Sequence, residues 1–187
     1  MLKRLAARVI DGASWVRVGL LLLAYVACVS VLNFADARIQ QLSSGLGVPD
    51  LLHGFTAAEL YARLEAFGDE GRRIYLRAEL VDLVYPLVYG AFFAFLIALP
   101  ARRLLRAGSP WRLLCLAPLA ATLLDYLENA CFFTILLRWP ARLDAVAALA
   151  SAFNLGKWLC FGVALPAAVL GLGALAVTAL RGRRATS

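Results

Sequence analysis

An aspartate, a glutamate and an asparagine recur at i, i+3 and i+4 in Asp125-x-x-Glu128-Asn129, within a long apolar run, and Thr122 extends that face by one helical turn. Asn154 and Lys157 are spaced i, i+3 in another apolar run. Asp82, Tyr85 and Tyr89 are spaced i, i+3, i+7, and Ser30 and Asn33 repeat the i, i+3 step with Asp36 just beyond. An ionisable side chain inside a membrane span costs at least ~2.5–3.5 kcal/mol on insertion scales, so Asp82, Asp125, Glu128 and Lys157 demand an explanation. Two acids and one ammonium at similar depth predict an ion pair of Lys157 with Glu128 or Asp125. The surplus carboxyl is then protonated, or paired with tyrosine, asparagine or water, and a protonated carboxyl beside tyrosines is a candidate general acid. On this reading Asp125, Glu128 and Lys157 carry the chemistry, while Asp82, Tyr85, Tyr89, Asn129, Asn154 and Asn33 bind and orient a ligand. The competing account is interhelical glue, where each polar contact is worth ~0.6–2 kcal/mol. More polar groups are present than one ion pair requires, which favours a pocket.

The elements that must position these groups are membrane spans. Of 187 residues, 63% are hydrophobic and 17% charged, against about 25% charged in a soluble domain, and the mean hydropathy is +0.78. Apolar blocks run over about 15–34, 81–99, 113–137 and 145–180, long enough to cross a bilayer. The predicted fold is an all-α membrane protein, one domain over 1–187: a four-transmembrane-helix bundle with a short amphipathic helix in the first external loop. Basic residues cluster at the amino terminus (Lys3, Arg4, Arg8, Arg17), at 100–112 (Arg102, Arg103, Arg106, Arg112) and in the carboxyl tail (Arg181, Arg183, Arg184). By the positive-inside rule both termini face the cytoplasm, which places the chain in the cell (inner) membrane. Ala35-Asp36-Ala37 resembles a signal-peptidase site, but the long charged lead favours an uncleaved first span.

Within the 35–80 segment, Thr56-Ala57-Ala58-Glu59 is a capping box, Phe55 and Leu60 hold the staple positions, and Gly68 closes a helix over about 56–67. That helix is expected to lie on the outer membrane surface or to cap the bundle. A second helix is expected to start at Asp69 and to run directly into the second span. Pro86 cannot donate to the carbonyl of Asp82, which leaves a free acceptor beside a carboxylate; Pro118 and Pro166 free carbonyls near Leu114 and Gly162 in the same way. Ala148, Ala152, Gly156, Cys160, Ala164 and Ala168 repeat every four residues, a small-residue stripe expected to pack against a neighbouring helix.

Several function classes fall away. Nineteen Lys+Arg against twelve Asp+Glu give +7, yet the bases sit at span ends and no nucleic-acid motif is present, so no nucleic-acid partner is expected. Cys28, Cys115, Cys131 and Cys160 lie in apolar segments without a CxxC pair and read as small apolar residues. The single histidine, His53, lies in a polar connection, so neither a bis-histidine haem nor a metal or other cofactor is expected.

The set Asp82-x-x-Tyr85-Pro86, Asp125-x-x-Glu128-Asn129 and Asn154-x-x-Lys157-Trp158 resembles a pattern of uncharacterised bacterial four-helix integral membrane proteins, over about half of the chain. That resemblance implies the fold and no activity. In architecture alone the layout is similar to emopamil-binding-type sterol isomerases and binders, which use acidic residues in a membrane pocket; this chain has no intramembrane histidine, and their catalytic residues do not map onto it. The function expected is a pocket that binds or transforms an apolar small molecule, a lipid or isoprenoid. A small proton- or ion-coupled transporter and a structural assembly partner are the alternatives. Membrane lipids are the expected partners, homo-oligomerisation is left open, and so is whether the chain is an enzyme.

Overall fold

The structure is a computed structural model that describes residues 1–184, with side chains described to Arg181. The side chains of Arg183 and Arg184, counted above for orientation, lie outside the described residues. The regular elements are all helical: α1 (Leu2–Gly12), α2 (Trp15–Leu42), α3 (Ala57–Ala66), α4 (Gly68–Val81), α5 (Tyr85–Leu104), α6 (Ala117–Arg138) and α7 (Asp144–Arg184), with short 3₁₀ stretches at Pro49–Leu51 and Pro110–Leu116. Among the described residues, four segments are long and apolar enough to cross a membrane: Trp15–Leu42, Tyr85–Leu104, Pro110–Arg138 and Asp144–Arg181.

Two helices differ from expectation at the amino end. The basic lead is not a bare charge cluster but α1, whose Ala6 and Ile10 are buried against Ile97, Leu99 and Cys115. Ser14 then caps α2, accepting from the Arg17 amide at 3.2 Å. α2 runs two turns beyond the apolar block. Asp36 ends the hydropathy run but not the helix, because its carboxylate is satisfied by Gln40 Nε2 at 2.6 Å and the Val48 amide at 2.8 Å, and Ile39 beyond it is fully buried.

The capping box at Thr56 forms as the sequence reads. The Thr56 hydroxyl accepts from the Glu59 amide at 3.1 Å and Glu59 accepts from the Thr56 amide at 2.7 Å. α3 closes at Phe67, and Gly68 takes φ +62°, a left-handed conformation that glycine adopts without strain. Leu60 and Leu64 are fully buried, in a cluster with Phe132 and Ile135 of α6 and Ala147 and Ala150 of α7, so α3 covers one end of those helices.

α4 does not run into the second span. The chain turns at Asp82, Leu83 and Val84 and restarts as α5, with Pro86 in its first turn, where a missing N–H breaks no helical bond. Pro118 likewise falls in the first turn of α6, so it starts that helix rather than freeing a carbonyl inside it. The small-residue stripe on α7 holds in part: Ala164 and Ala168 are buried and Gly156 faces Leu124 of α6, but Ala148 and Ala152 are exposed, and the buried face there reads Ala147, Ala150, Asn154 and Lys157. A strict four-residue repeat advances about 40° per step on a 3.6-residue helix and drifts off any single contact face.

α6 and α7 share the most extensive contact, and α5 packs against both as well as against α2. α5 and α6 approach closely at Gly90, where a Cβ would stand 2.0 Å from Thr122 Oγ1. That hydroxyl donates to the Pro86 carbonyl at 2.8 Å, so the absence of a side chain at Gly90 fixes the α5–α6 register beside the polar groups.

Candidate functional site: an acid-lined cavity

The face read on α6 is interior along its whole length. Thr122, Asp125, Glu128 and Asn129 are all buried, while Leu123 and Leu127 between them are exposed. α7 turns Lys157 and Asn154 toward it. Lys157 Nζ lies 3.0 Å from Asp125 Oδ1 and 2.5 Å from Glu128 Oε2, so the ammonium takes both predicted partners rather than one. With side-chain exposures of 8% for the lysine against 4% and 0% for the acids, this is a buried ion triad.

Each remaining carboxylate oxygen of the triad meets a donor. The Tyr89 hydroxyl donates to Asp125 Oδ2 at 2.8 Å, and Asn154 Nδ2 donates to Glu128 Oε1 at 2.9 Å. Asn129 Nδ2 donates to both the carbonyl and the carboxylate of Asp82, at 3.1 and 2.7 Å. The Asp82 carbonyl, left without a helical partner where α4 ends, is satisfied across helices by α6, in the way buried acceptors require; it is the helix break rather than Pro86 that frees it.

Beside the triad lies a partly open cavity of about 260 Å³, lined by α2, α4, α5, α6, α7 and the 3₁₀ stretch at Pro49–Leu51. Asp82, Tyr85, Tyr89, Asp125, Lys157 and Asn33 all line it, so six of the nine sequence-derived residues converge on one space. Glu128, Asn129 and Asn154 do not line it. They stand behind the wall, bonded to Lys157, Asp82 and the covering segment respectively. Asn154 reaches that segment through two backbone contacts, accepting from the Gly54 amide at 2.9 Å and donating to the Asp50 carbonyl at 3.0 Å. The remaining wall is largely apolar, with Tyr25, Phe93, Trp158 and Phe161 as its aromatic part beside Leu32, Leu51 and Leu165.

Sequence reasoning missed three groups here. Asp50, Tyr75 and Glu79 also line the cavity, and the Tyr75 hydroxyl donates to Asp50 Oδ2 at 2.9 Å. Glu79 is 2% exposed, and its Oε2, like Asp50 Oδ1, is buried without a hydrogen-bond partner. Burial above all, then the nearby charges of Asp50 and Asp82, holds the Glu79 carboxyl well above the usual carboxylate range. Burial also raises Asp50, against the opposing pull of Lys157 and the Tyr75 hydrogen bond. A signal was present: Tyr75, Glu79 and Asp82 stand at i, i+4, i+7, the same kind of helical stripe read on the spans.

The electrostatic sum is one-sided. Asp36, Asp50, Glu79, Asp82 and Asp125 line the cavity, and among the described lining residues Lys157 is the one cation against them. Asp36 is engaged by backbone and Gln40, Asp125 by Lys157 and Tyr89, and Asp82 by Asn129, which leaves Asp50 and Glu79 each with an unpartnered carboxyl oxygen. Among the described residues, no group of histidine, cysteine and acidic side chains has the arrangement of a metal site.

Fold and site together define an all-helical protein with four membrane-length apolar helices and an acid-lined interior cavity. Compared with known protein families, curated proteins and solved structures, the chain matches none.

Proposed function

We propose that the chain is an integral protein of the cell (inner) membrane, four helices bundled across the bilayer with both termini in the cytoplasm, whose acid-lined cavity binds or transforms an apolar small molecule such as a lipid or isoprenoid. The observation that carries this reading is the cavity itself, about 260 Å³ with largely apolar walls and carboxyls from four separate parts of the chain. Roughly 150 Å³ is enough to admit benzene, so the space takes a ring or a branched chain segment of a larger guest. A purely structural polar knot would close on itself; here Glu79 and Asp50 keep unpartnered oxygens at the cavity wall. In the proposed chemistry a protonated carboxyl gives its proton to one alkene carbon of an isoprenoid while a facing carboxylate takes a proton from the carbon next to the other, so the double bond moves and no charge is left, and Tyr89 and Lys157 hold Asp125 in place.

Trp158 lines the cavity and reports on its contents. Detergent-purified protein titrated with farnesol gives a saturable change in tryptophan emission that Trp158→Phe abolishes, and solvent extraction of the purified protein releases an apolar molecule detectable by mass spectrometry. A protein that is bare on extraction and unresponsive to added isoprenols and phospholipids overturns the proposal.

A second reading, proton-coupled transport, is favoured by one observation: Tyr89, Asp125, Lys157, Glu128 and Asn154 form a continuous chain of hydrogen bonds and ion pairs through the interior. A flat proton flux in proteoliposomes eliminates it.

A further inference from the structure

A second concavity, an open groove of about 870 Å³, runs between α2 and α4 on the other side of Ala35 and Ala78, which line both spaces. Its charged groups are Arg38 from α2 and Arg73, Arg77 and Glu70 from α4. Glu70 approaches Arg38 at 3.7 Å; among the described residues no carboxylate lies within 4.0 Å of Arg73 or Arg77. Three guanidiniums against one carboxylate leave the groove clearly positive, back to back with a cavity that is clearly acidic.

The apolar part of the groove is as directional as its charge. Val31 and Phe34 stand on α2 below Arg38, with Phe34 72% exposed. Along the helix, Val31 to Arg38 covers about 10 Å, so apolar surface gives way to guanidinium over the distance separating acyl chain from headgroup. Arg73 and Arg77 are one turn apart on α4 and face the same space.

We infer that the α2–α4 groove is a binding site for the phosphate headgroup of a membrane lipid, with Arg73 and Arg77 as its principal contacts and Arg38 as a third. The guanidinium fork matches phosphate oxygens in a way that a neutral headgroup does not. This inference stands apart from the cavity reading, since it requires no guest inside.

Native mass spectrometry of the detergent-solubilised protein, titrated with dioleoyl phosphatidic acid or with dioleoylglycerol of the same chains, tests it. Two free guanidiniums predict about tenfold tighter retention of the phosphatidic acid, and Arg73→Gln with Arg77→Gln reduces that preference to about twofold or less. Inorganic phosphate at millimolar concentration leaves the bound lipid in place, because the chains and headgroup bind together; its displacement of the lipid would assign the site to free phosphate instead. Equal retention of both lipids by the unaltered chain overturns the inference. The farnesol response of Trp158 in the arginine variants reads the cavity independently: retained, it shows an intact fold and leaves the two readings separately decided.

Discussion

Replacing Lys157 with methionine removes the single cation that two buried carboxylates share. The ammonium lies 3.0 Å from Asp125 and 2.5 Å from Glu128, and those acids keep only 4% and 0% of their side-chain surface exposed. Methionine keeps most of the stem volume, so the change is almost wholly electrostatic. Breaking one buried pair by deleting a partner costs about 3–5 kcal/mol, because a charge is left without compensation. Here two acids lose their partner at once, so the upper half of that range is expected at neutral pH. At about 2–4 °C per kcal/mol for a chain of this length, the melting temperature falls by roughly 8–20 °C. The double variant Lys157→Met with Glu128→Gln restores the net charge of the triad and recovers at least half of that loss. Asp125 keeps its bond from Tyr89, and the amide oxygen introduced in place of the Glu128 carboxylate can still accept from Asn154. Unfolding is followed with a thiol-reactive dye, since Cys115 and Cys131 are buried and become reactive only when the helices separate. A single variant that melts within about 2 °C of the unaltered protein, across pH 6–8, would refute the triad as an energetic centre.

Three further outcomes follow from the same geometry. The Glu79 carboxyl binds its proton more tightly folded than unfolded, so its effect on stability is absent below the ordinary carboxylate range and grows unfavourable as pH rises toward its folded value; Glu79→Gln should therefore flatten the pH dependence of melting and raise stability at the alkaline end, with each tenfold difference in proton affinity worth about 1.4 kcal/mol. Gly90→Ala drives a methyl into Thr122 Oγ1 and should cost about 1–3 kcal/mol by overpacking; adding Thr122→Ala removes the clashing atom and should recover most of it, measured by the same melts. Asn129→Leu strips the donor from both Asp82 oxygens and should cost about 1–3 kcal/mol, whereas Leu127→Ala on the exposed face of α6 should change stability by less than about 1 kcal/mol in detergent.

What can be read in advance divides along a physical line. The stripe Thr122, Asp125, Glu128, Asn129 is legible because helical geometry is local, and a spacing of three or four residues fixes a face wherever the helix sits. The capping box is legible for the same reason. Glu79 is not, although its spacing from Asp82 is helical, because a polar segment with five arginines and seven acids reads as a solvated connector until it is known to pack inward. Asp50 cannot be found by any periodicity: it reaches the cavity because Asn154, 104 residues away, donates to its carbonyl. α1 is hidden by its charges, although Ala6 and Ile10 mark its buried side. The break after α4 is readable in part, since a proline suits the first turn of a helix and Pro86 stands there in α5.

The grip of Asn154 on the stretch from Asp50 to Gly54 has a bearing on traffic. One amide holds that stretch by two backbone bonds while donating to Glu128, and Ser151 adds a hydroxyl that accepts from the Phe55 amide at 2.8 Å. Lifting this strap would break those three backbone bonds together and part Asp50 from the Tyr75 hydroxyl, each bond being worth about 0.5–1.5 kcal/mol. On the flank, by contrast, only 6% of the apolar window of α2 is buried against the rest of the chain. If the cavity takes the apolar guest proposed for it, the approach that breaks fewer bonds is past α2 rather than through the strap, and that is the path of a guest dissolved in hydrocarbon.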